Sequence, residues 1–251
     1  MAAEVSEQLS TLLPDVFRAL DLTGVFLNGV LGGTIARQRR FDLAGFVILA
    51  IVSALGGGML RDTLLQAGTP LALTDPFYLG TAMSGALVAF LVPLGGRWWS
   101  RTFLVGDALV LGCWAATGST KALAAGLGLL PAVMLGVITA VGGGMIRDVV
   151  VGQPPVIFGG NTLYATSAVL ASLVVIGMYR IGEETLGMGL AIVVGAGLSI
   201  VAHWRQWSLP YAPTVQLPNL RPRWRRGGAV AAGRRIGAEA AVAVRPERAA
   251  G

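Results

Sequence analysis

Ala54-Leu55-Gly56-Gly57-Gly58-Met59-Leu60-Arg61-Asp62 returns, with two conservative changes, as Ala140-Val141-Gly142-Gly143-Gly144-Met145-Ile146-Arg147-Asp148. The offset is 86 residues. Without a gap it also aligns Asp21 with Asp107, Gly32 with Gly118, Ala36 with Ala122, Leu43 with Leu129, Tyr78 with Tyr164 and Leu87-Val88 with Leu173-Val174. A repeat of this length governs the whole fold.

Each nonapeptide sits inside a long apolar run. The chain is 54% hydrophobic and only 13% charged, with a mean hydropathy of +0.70, whereas water-soluble domains carry about 25% charged residues. A hydrocarbon layer of about 30 Å takes about 20 helical residues. Seven stretches meet that length: 16–36, 43–65, 77–94, 102–121, 129–151, 162–179 and 186–204. Runs near 20 residues, without alternation over about 10, exclude a transmembrane barrel. The sequence therefore predicts an all-α membrane protein with seven transmembrane helices. Spans one to three (16–94) form one unit, spans four to six (102–180) repeat it, and the seventh (186–204) stands alone. A unit of three spans returns the chain on the opposite face, so the second copy is inverted. That architecture belongs to permeation proteins.

The formal charge of +6 suggests nucleic acid until it is located. Residues 205–251 hold nine Arg and two Glu, and residues 1–204 are close to neutral. The excess is a tail, which reports topology. Arg37, Arg39, Arg40, Arg97, Arg101 and Arg205 fall on the side of the C-terminus; on the other side Arg18, Lys121 and Arg180 are offset by Glu4, Glu7, Asp15, Asp75, Glu183 and Glu184. Basic loops stay cytoplasmic, so the N-terminal segment (1–15) is expected outside and the C-terminus inside, in a cell inner (plasma) membrane. Trp98, Trp99, Trp204 and Trp207 fall at the inner ends, where interfacial aromatics belong. MAAEVSEQLS carries no basic n-region, so no cleavable signal peptide is expected. The Pro- and Arg-rich tail has a composition for disorder. Its basic cluster at 221–226 suits anionic cytoplasmic lipid or a plain topology anchor.

The glycine triplets begin 14 residues into spans two and five. Interior glycine costs about 1 kcal/mol relative to alanine, so three in a row ask for a reason. One is a kinked or partly unwound helix whose bared carbonyls favour cations. The other is close packing of two helices, as small residues allow in lipid. Three residues beyond each triplet come Arg61-Asp62 and Arg147-Asp148. Adjacent helical residues point about 100° apart, so the expected partners lie elsewhere at matching depth. Asp21 is expected to pair with Arg61 and Asp107 with Arg147, giving an outer cluster of Asp21, Arg61 and Asp62 with Lys121 at its rim, and an inner one of Asp107, Arg147 and Asp148. Buried ionisable groups usually face a water-filled path; a role in fixing helix register is the alternative.

Asn28, Ser53, Thr117 and Thr139 are polar at membrane depth and suit the lining of a path, but serine and threonine more often bond their own helix backbone. Gly29 and Gly33 suit a packing face, and Tyr78 and Tyr164 suit interfacial anchoring. One cysteine and one histidine exclude a disulfide framework and a Cys-His metal site. No Ser-His-Asp set or HExxH run supports an enzyme.

Two three-span units, each with Gly-Gly-Gly-x-x-Arg-Asp in its second helix, followed by a seventh span, resemble the prokaryotic trimeric intracellular cation (TRIC) channels over residues 16–204. The resemblance implies a homotrimer with a potassium-permeable pore in each protomer and no cofactor beyond the permeant K⁺. It places Gly56, Gly57, Gly58, Gly142, Gly143 and Gly144 at pore kinks beside Arg61, Asp62, Arg147 and Asp148, and puts Lys121 where family members carry a basic residue linked to gating. Bacterial sequences of this type are also labelled glycine transporters, so a secondary transporter of a small zwitterion is the alternative.

Overall fold

The computed structural model describes the backbone of residues 2–158 and 163–208, and side chains from residue 15 onward, Val156 excepted. The tail beyond residue 208, with its basic cluster, lies outside the described residues, as do the side chains of the first 14 residues.

The described residues form eight α-helices: α1 (Ala2–Gln38), α2 (Leu43–Leu65), α3 (Leu71–Thr74), α4 (Pro76–Leu91), α5 (Arg97–Ala124), α6 (Leu129–Val150), α7 (Tyr164–Arg180) and α8 (Glu184–Arg205). Local chemistry sets their ends. Asp42 caps α2 by accepting from the Gly45 N–H at 2.8 Å, and Gln66 closes it in the left-handed region. Asp75 caps α4, with Pro76 in the first turn, where its missing N–H is harmless. Pro93 then forces Val92 extended, so α4 stops at Leu91 instead of the expected residue 94.

Seven of the eight helices overlie the seven expected spans, and α3 is an addition too short to leave a periodic signal. Five of the described helices are long and apolar enough to cross a membrane. α4 and α7, with 16 and 17 residues, reach only about 24–26 Å at ~1.5 Å per residue. α5 begins at Arg97, five residues before the expected start, because a helix propagates past the apolar boundary while its polar face meets water.

Within the first half of the chain α1 packs on both α2 and α4; within the second α5 packs on α6 and α7; α2 and α6 join the halves, and α8 covers α5 and α7. Alanine is the commonest buried residue among those described, and large apolar side chains such as Leu43, Ile48, Leu64, Leu91, Leu130 and Val193 point outward. This inversion of the soluble pattern suits a lipid solvent, where helices associate through small residues and close contact. A Cβ on Gly29 would sit 2.7 Å from the Ala82 carbonyl oxygen, and one on Gly33 2.7 Å from the Ala89 Cβ. That pair is the α1–α4 packing face.

Candidate functional site

Both triplets lie in unbroken α-helix, so the expected local unwinding is not present. The six glycines divide by role instead. A Cβ on Gly57 would strike the Thr139 carbonyl oxygen, and one on Gly143 the Ser53 carbonyl oxygen; one on Gly142 would lie 3.1 Å from the Gly57 Cα. Gly56, Gly57, Gly142 and Gly143 thus form the backbone-to-backbone crossing of α2 and α6. Gly58 and Gly144 turn away from it, each with only the arginine three residues on within 4 Å, at 3.8 and 3.6 Å. They line cavities.

One cavity lies on each side of the crossing. Toward the N-terminal side a space of about 30 Å³ is bounded by Asp21, Ala54, Leu55, Gly58, Arg61, Asp62, Leu71, Tyr78 and Trp114. Toward the C-terminal side a cavity of about 630 Å³ is bounded by Asn28, Ala140, Val141, Gly144, Arg147, Asp148, Asp107, Ile157, Tyr164 and His203, among others. The 86-residue offset maps Asp21, Ala54, Leu55, Gly58, Arg61, Asp62, Leu71 and Tyr78 onto Asp107, Ala140, Val141, Gly144, Arg147, Asp148, Ile157 and Tyr164. The two cavities are built from the same parts.

The charges gather as expected, but pair differently. Arg61 Nε donates to Asp62 Oδ1 at 2.8 Å, and Arg147 donates to Asp148 Oδ1 through Nε at 2.9 Å and Nη2 at 2.8 Å. Each arginine therefore takes its own following aspartate, and neither Asp21–Arg61 nor Asp107–Arg147 is among the ion pairs of the described residues. The angle between adjacent residues applies at Cβ. An arginine's long stem can fold across it, and the cost of facing lipid keeps both groups on the protein side. Lys121 Nζ reaches the same Asp62 oxygen at 3.2 Å, and the Leu71 N–H donates to the other at 3.1 Å. The lysine is thus the rim member of the outer cluster.

Asp21 is held by Tyr78 and Trp114: the phenol donates to Oδ2 at 2.5 Å and the indole Nε1 to Oδ1 at 2.7 Å. Tyr164 donates likewise to Asp107. Interfacial anchoring is therefore wrong for both tyrosines, whose hydroxyls serve the carboxylates. Their matching positions in the repeat were the available signal. Trp114 was missed altogether; its signal was a mismatch, since the offset pairs it with Asn28.

Thr117 and Thr139 bond the carbonyls four residues back, as expected for threonine, and the Asn28 amide does the same. The Ser53 hydroxyl is buried without a hydrogen-bond partner among the described residues. Arg37 turns to the Phe90 carbonyl. Among the described residues no group of three or more His, Cys, Asp or Glu could hold a metal ion.

Apolar helices around two charge-lined cavities define a polytopic helical membrane protein. Comparison with known proteins narrows this. The sequence model of the family described as "Glycine transporter" matches twice, over residues 18–93 and 104–180. A UPF0126 membrane protein of Deinococcus radiodurans is 40% identical over 150 residues, 59% of this chain and 70% of that one. The UPF0126 inner membrane protein YadS of Escherichia coli K12 is 35% identical over 156 residues, 62% and 75% of the two chains. Among solved structures, a TRIC cation channel studied for its conductance superposes with a TM-score of 0.73 at 30% identity, covering 78% of this chain and 97% of that one. The TRIC trimeric intracellular cation channel orthologue from Rhodobacter sphaeroides superposes at 0.68, also at 30% identity, covering 76% and 98%. The chain belongs to the prokaryotic TRIC family.

Proposed function

We propose that this protein is a potassium-permeable monovalent cation channel, a homotrimer in which each protomer carries its own pore. The observation that carries the reading is the cavity of about 630 Å³ lined by Asp107, Asp148, Asn28 and the Tyr164 hydroxyl, in a chain that superposes on TRIC cation channels. Carboxylates and amide oxygens replace the hydration of a monovalent cation, and two sites close together let it leave again. The pathway runs past the α2–α6 crossing from one cavity to the other, with Gly58 and Gly144 at its wall. Gating acts near that crossing, and Arg61, Asp62, Lys121, Arg147 and Asp148 set the local field.

In this reading α4 and α7 cross the membrane with the five longer helices. The two halves, 16–94 and 102–180, are inverted copies, 186–204 is a seventh span, the N-terminus is outside and the C-terminus is cytoplasmic. The duplicated family match supports the two copies. The basic tail, 205–251, rests on anionic lipid.

Reconstitution in a planar bilayer under asymmetric KCl tests the channel. Discrete currents reversing near the potassium potential are expected; electrical silence overturns it. Crosslinking in native membranes is expected to stop at a trimer.

A second reading has its own support: Arg147 and Asp107 place opposite charges in one cavity large enough for a small zwitterion, and the matching family model is described as a glycine transporter. Saturable glycine uptake into liposomes, together with electrical silence, would establish it.

A further inference from the structure

The two cavities share their parts but not their size, about 30 Å³ against about 630 Å³. Eight lining positions correspond through the repeat, so the difference comes from positions where the repeats disagree and from α8, which gives Ser199 and His203 to the larger cavity alone. Two such positions reach across from the opposite half of the chain. At the first, Trp114 of α5 enters the N-terminal-side cavity, where the offset puts Asn28 of α1 in the C-terminal-side one. At the second, Lys121 bonds Asp62, where the offset puts Ile35 in the wall of the larger cavity.

The chemistry of each exchange points the same way. The Trp114 ring is nearly buried, at 8% exposure, and its N–H is fixed on Asp21. A bicyclic ring with both torsions restrained fills space that a short amide leaves open. The Asn28 amide turns back to its own helix, bonding the Gly24 carbonyl at 3.2 Å, so it does not cover Asp107. Lys121 adds a cation beside Asp62 that the larger cavity does not receive from Ile35. What remains near Asp21 is room for about one water molecule.

We propose that Trp114, backed by the Lys121 charge, is the barrier that closes the N-terminal-side cavity, making each protomer an asymmetric path that accepts ligands freely from the C-terminal side alone. For ions this rests on the channel reading and means rectification: current carried by cations entering from the C-terminal side exceeds current in the other direction. The barrier itself is a statement about access and does not need conduction.

Access is therefore measured first, on full-length protein in vesicles, with Cys113→Ala removing the native thiol. Val25→Cys, at the wall of the small cavity, is exposed from the N-terminal side to a membrane-impermeant methanethiosulfonate. Adding Trp114→Asn is expected to speed labelling about tenfold or more, while Trp114→Phe, which keeps a ring in place, stays within about twofold. An unchanged rate with Trp114→Asn overturns the proposal. The reciprocal change keeps the test decisive should that variant fold poorly. Asn28→Trp is expected to slow labelling of Val141→Cys from the C-terminal side by about tenfold, and an unchanged rate there overturns the proposal equally. In bilayers the double exchange Asn28→Trp with Trp114→Asn is expected to reverse the sense of rectification; rectification of unaltered sense overturns the barrier. Altered labelling with no current in any variant supports the barrier and removes the channel reading.

Discussion

Gly57 and Gly58 are neighbours of identical chemistry with opposite prospects. At Gly57 a methyl group meets the Thr139 carbonyl oxygen across the crossing, and overpacking of that kind costs about 1–3 kcal/mol, more than the ~1 kcal/mol that alanine returns in helix propensity. At Gly58 and Gly144 the same methyl enters a cavity. Gly57→Ala and Gly143→Ala are therefore expected to lower thermal stability in detergent, whereas Gly58→Ala and Gly144→Ala keep or raise it and change conductance. Equal effects at all four positions would refute the division. The charges make a second contrast. Asp62 serves Arg61, Lys121 and the Leu71 N–H at once, so Asp62→Asn strips two cations of their counter-charge. Breaking a buried pair from one side costs about 3–5 kcal/mol, and a clear fall in melting temperature is expected. Lys121→Ala removes a half-exposed partner and is expected to cost much less; a larger loss there would mean that the lysine, not the arginine, anchors the cluster.

At the scale of helices, what the sequence made legible followed from length and periodicity. α2 covers residues 43–65 as expected, because Asp42 and Gln66 bound an uninterrupted apolar run. Its partner α6 ends one residue short of expectation, at Val150. The four-residue α3 was invisible, since it owes its place to Asp62 accepting its first N–H, a contact nine residues apart that no local pattern encodes. The site was half legible for a related reason. The repeat located Asp21, Arg61, Asp62, Asp107, Arg147 and Asp148, but partners depend on how far flexible side chains reach, and angular spacing along a helix does not fix that. The offset picks out both tyrosines but not their role, because closeness to a helix end says nothing of which way a hydroxyl turns. Of the small-residue faces, that of Gly29 and Gly33 was legible, whereas the α2–α6 crossing was one of two alternatives for the glycine triplets. A Cβ on Gly85 would lie 2.9 Å from the Val30 amide nitrogen, so Gly85→Leu is expected to force α4 from α1 and abolish folded protein in a fluorescence-detected size-exclusion profile. A normal profile would show that this interface tolerates separation.

For the molecule as a whole, the distribution of charge argues more than its total. Arg37, Arg39, Arg40, Arg97, Arg101 and Arg205 cluster at the end where the larger cavity opens, and acidic residues offset the few basic ones at the other. Basic residues near short loops resist translocation, so the wide cavity is expected to face the cytoplasm and the one that Trp114 lines the exterior. A phosphatase domain that folds only where its disulfides form reports the side directly. Fused after Gly182, between α7 and α8, it is expected to be active; fused after Gln206, beyond α8, it is expected to be inactive, while a fluorescent protein at the same point is bright. The opposite pattern would turn the molecule over and reverse the physiological direction of the asymmetry without changing its structural cause. Equal activity at both points would remove α8 as a crossing and, with it, the odd number of spans on which opposite-side termini depend.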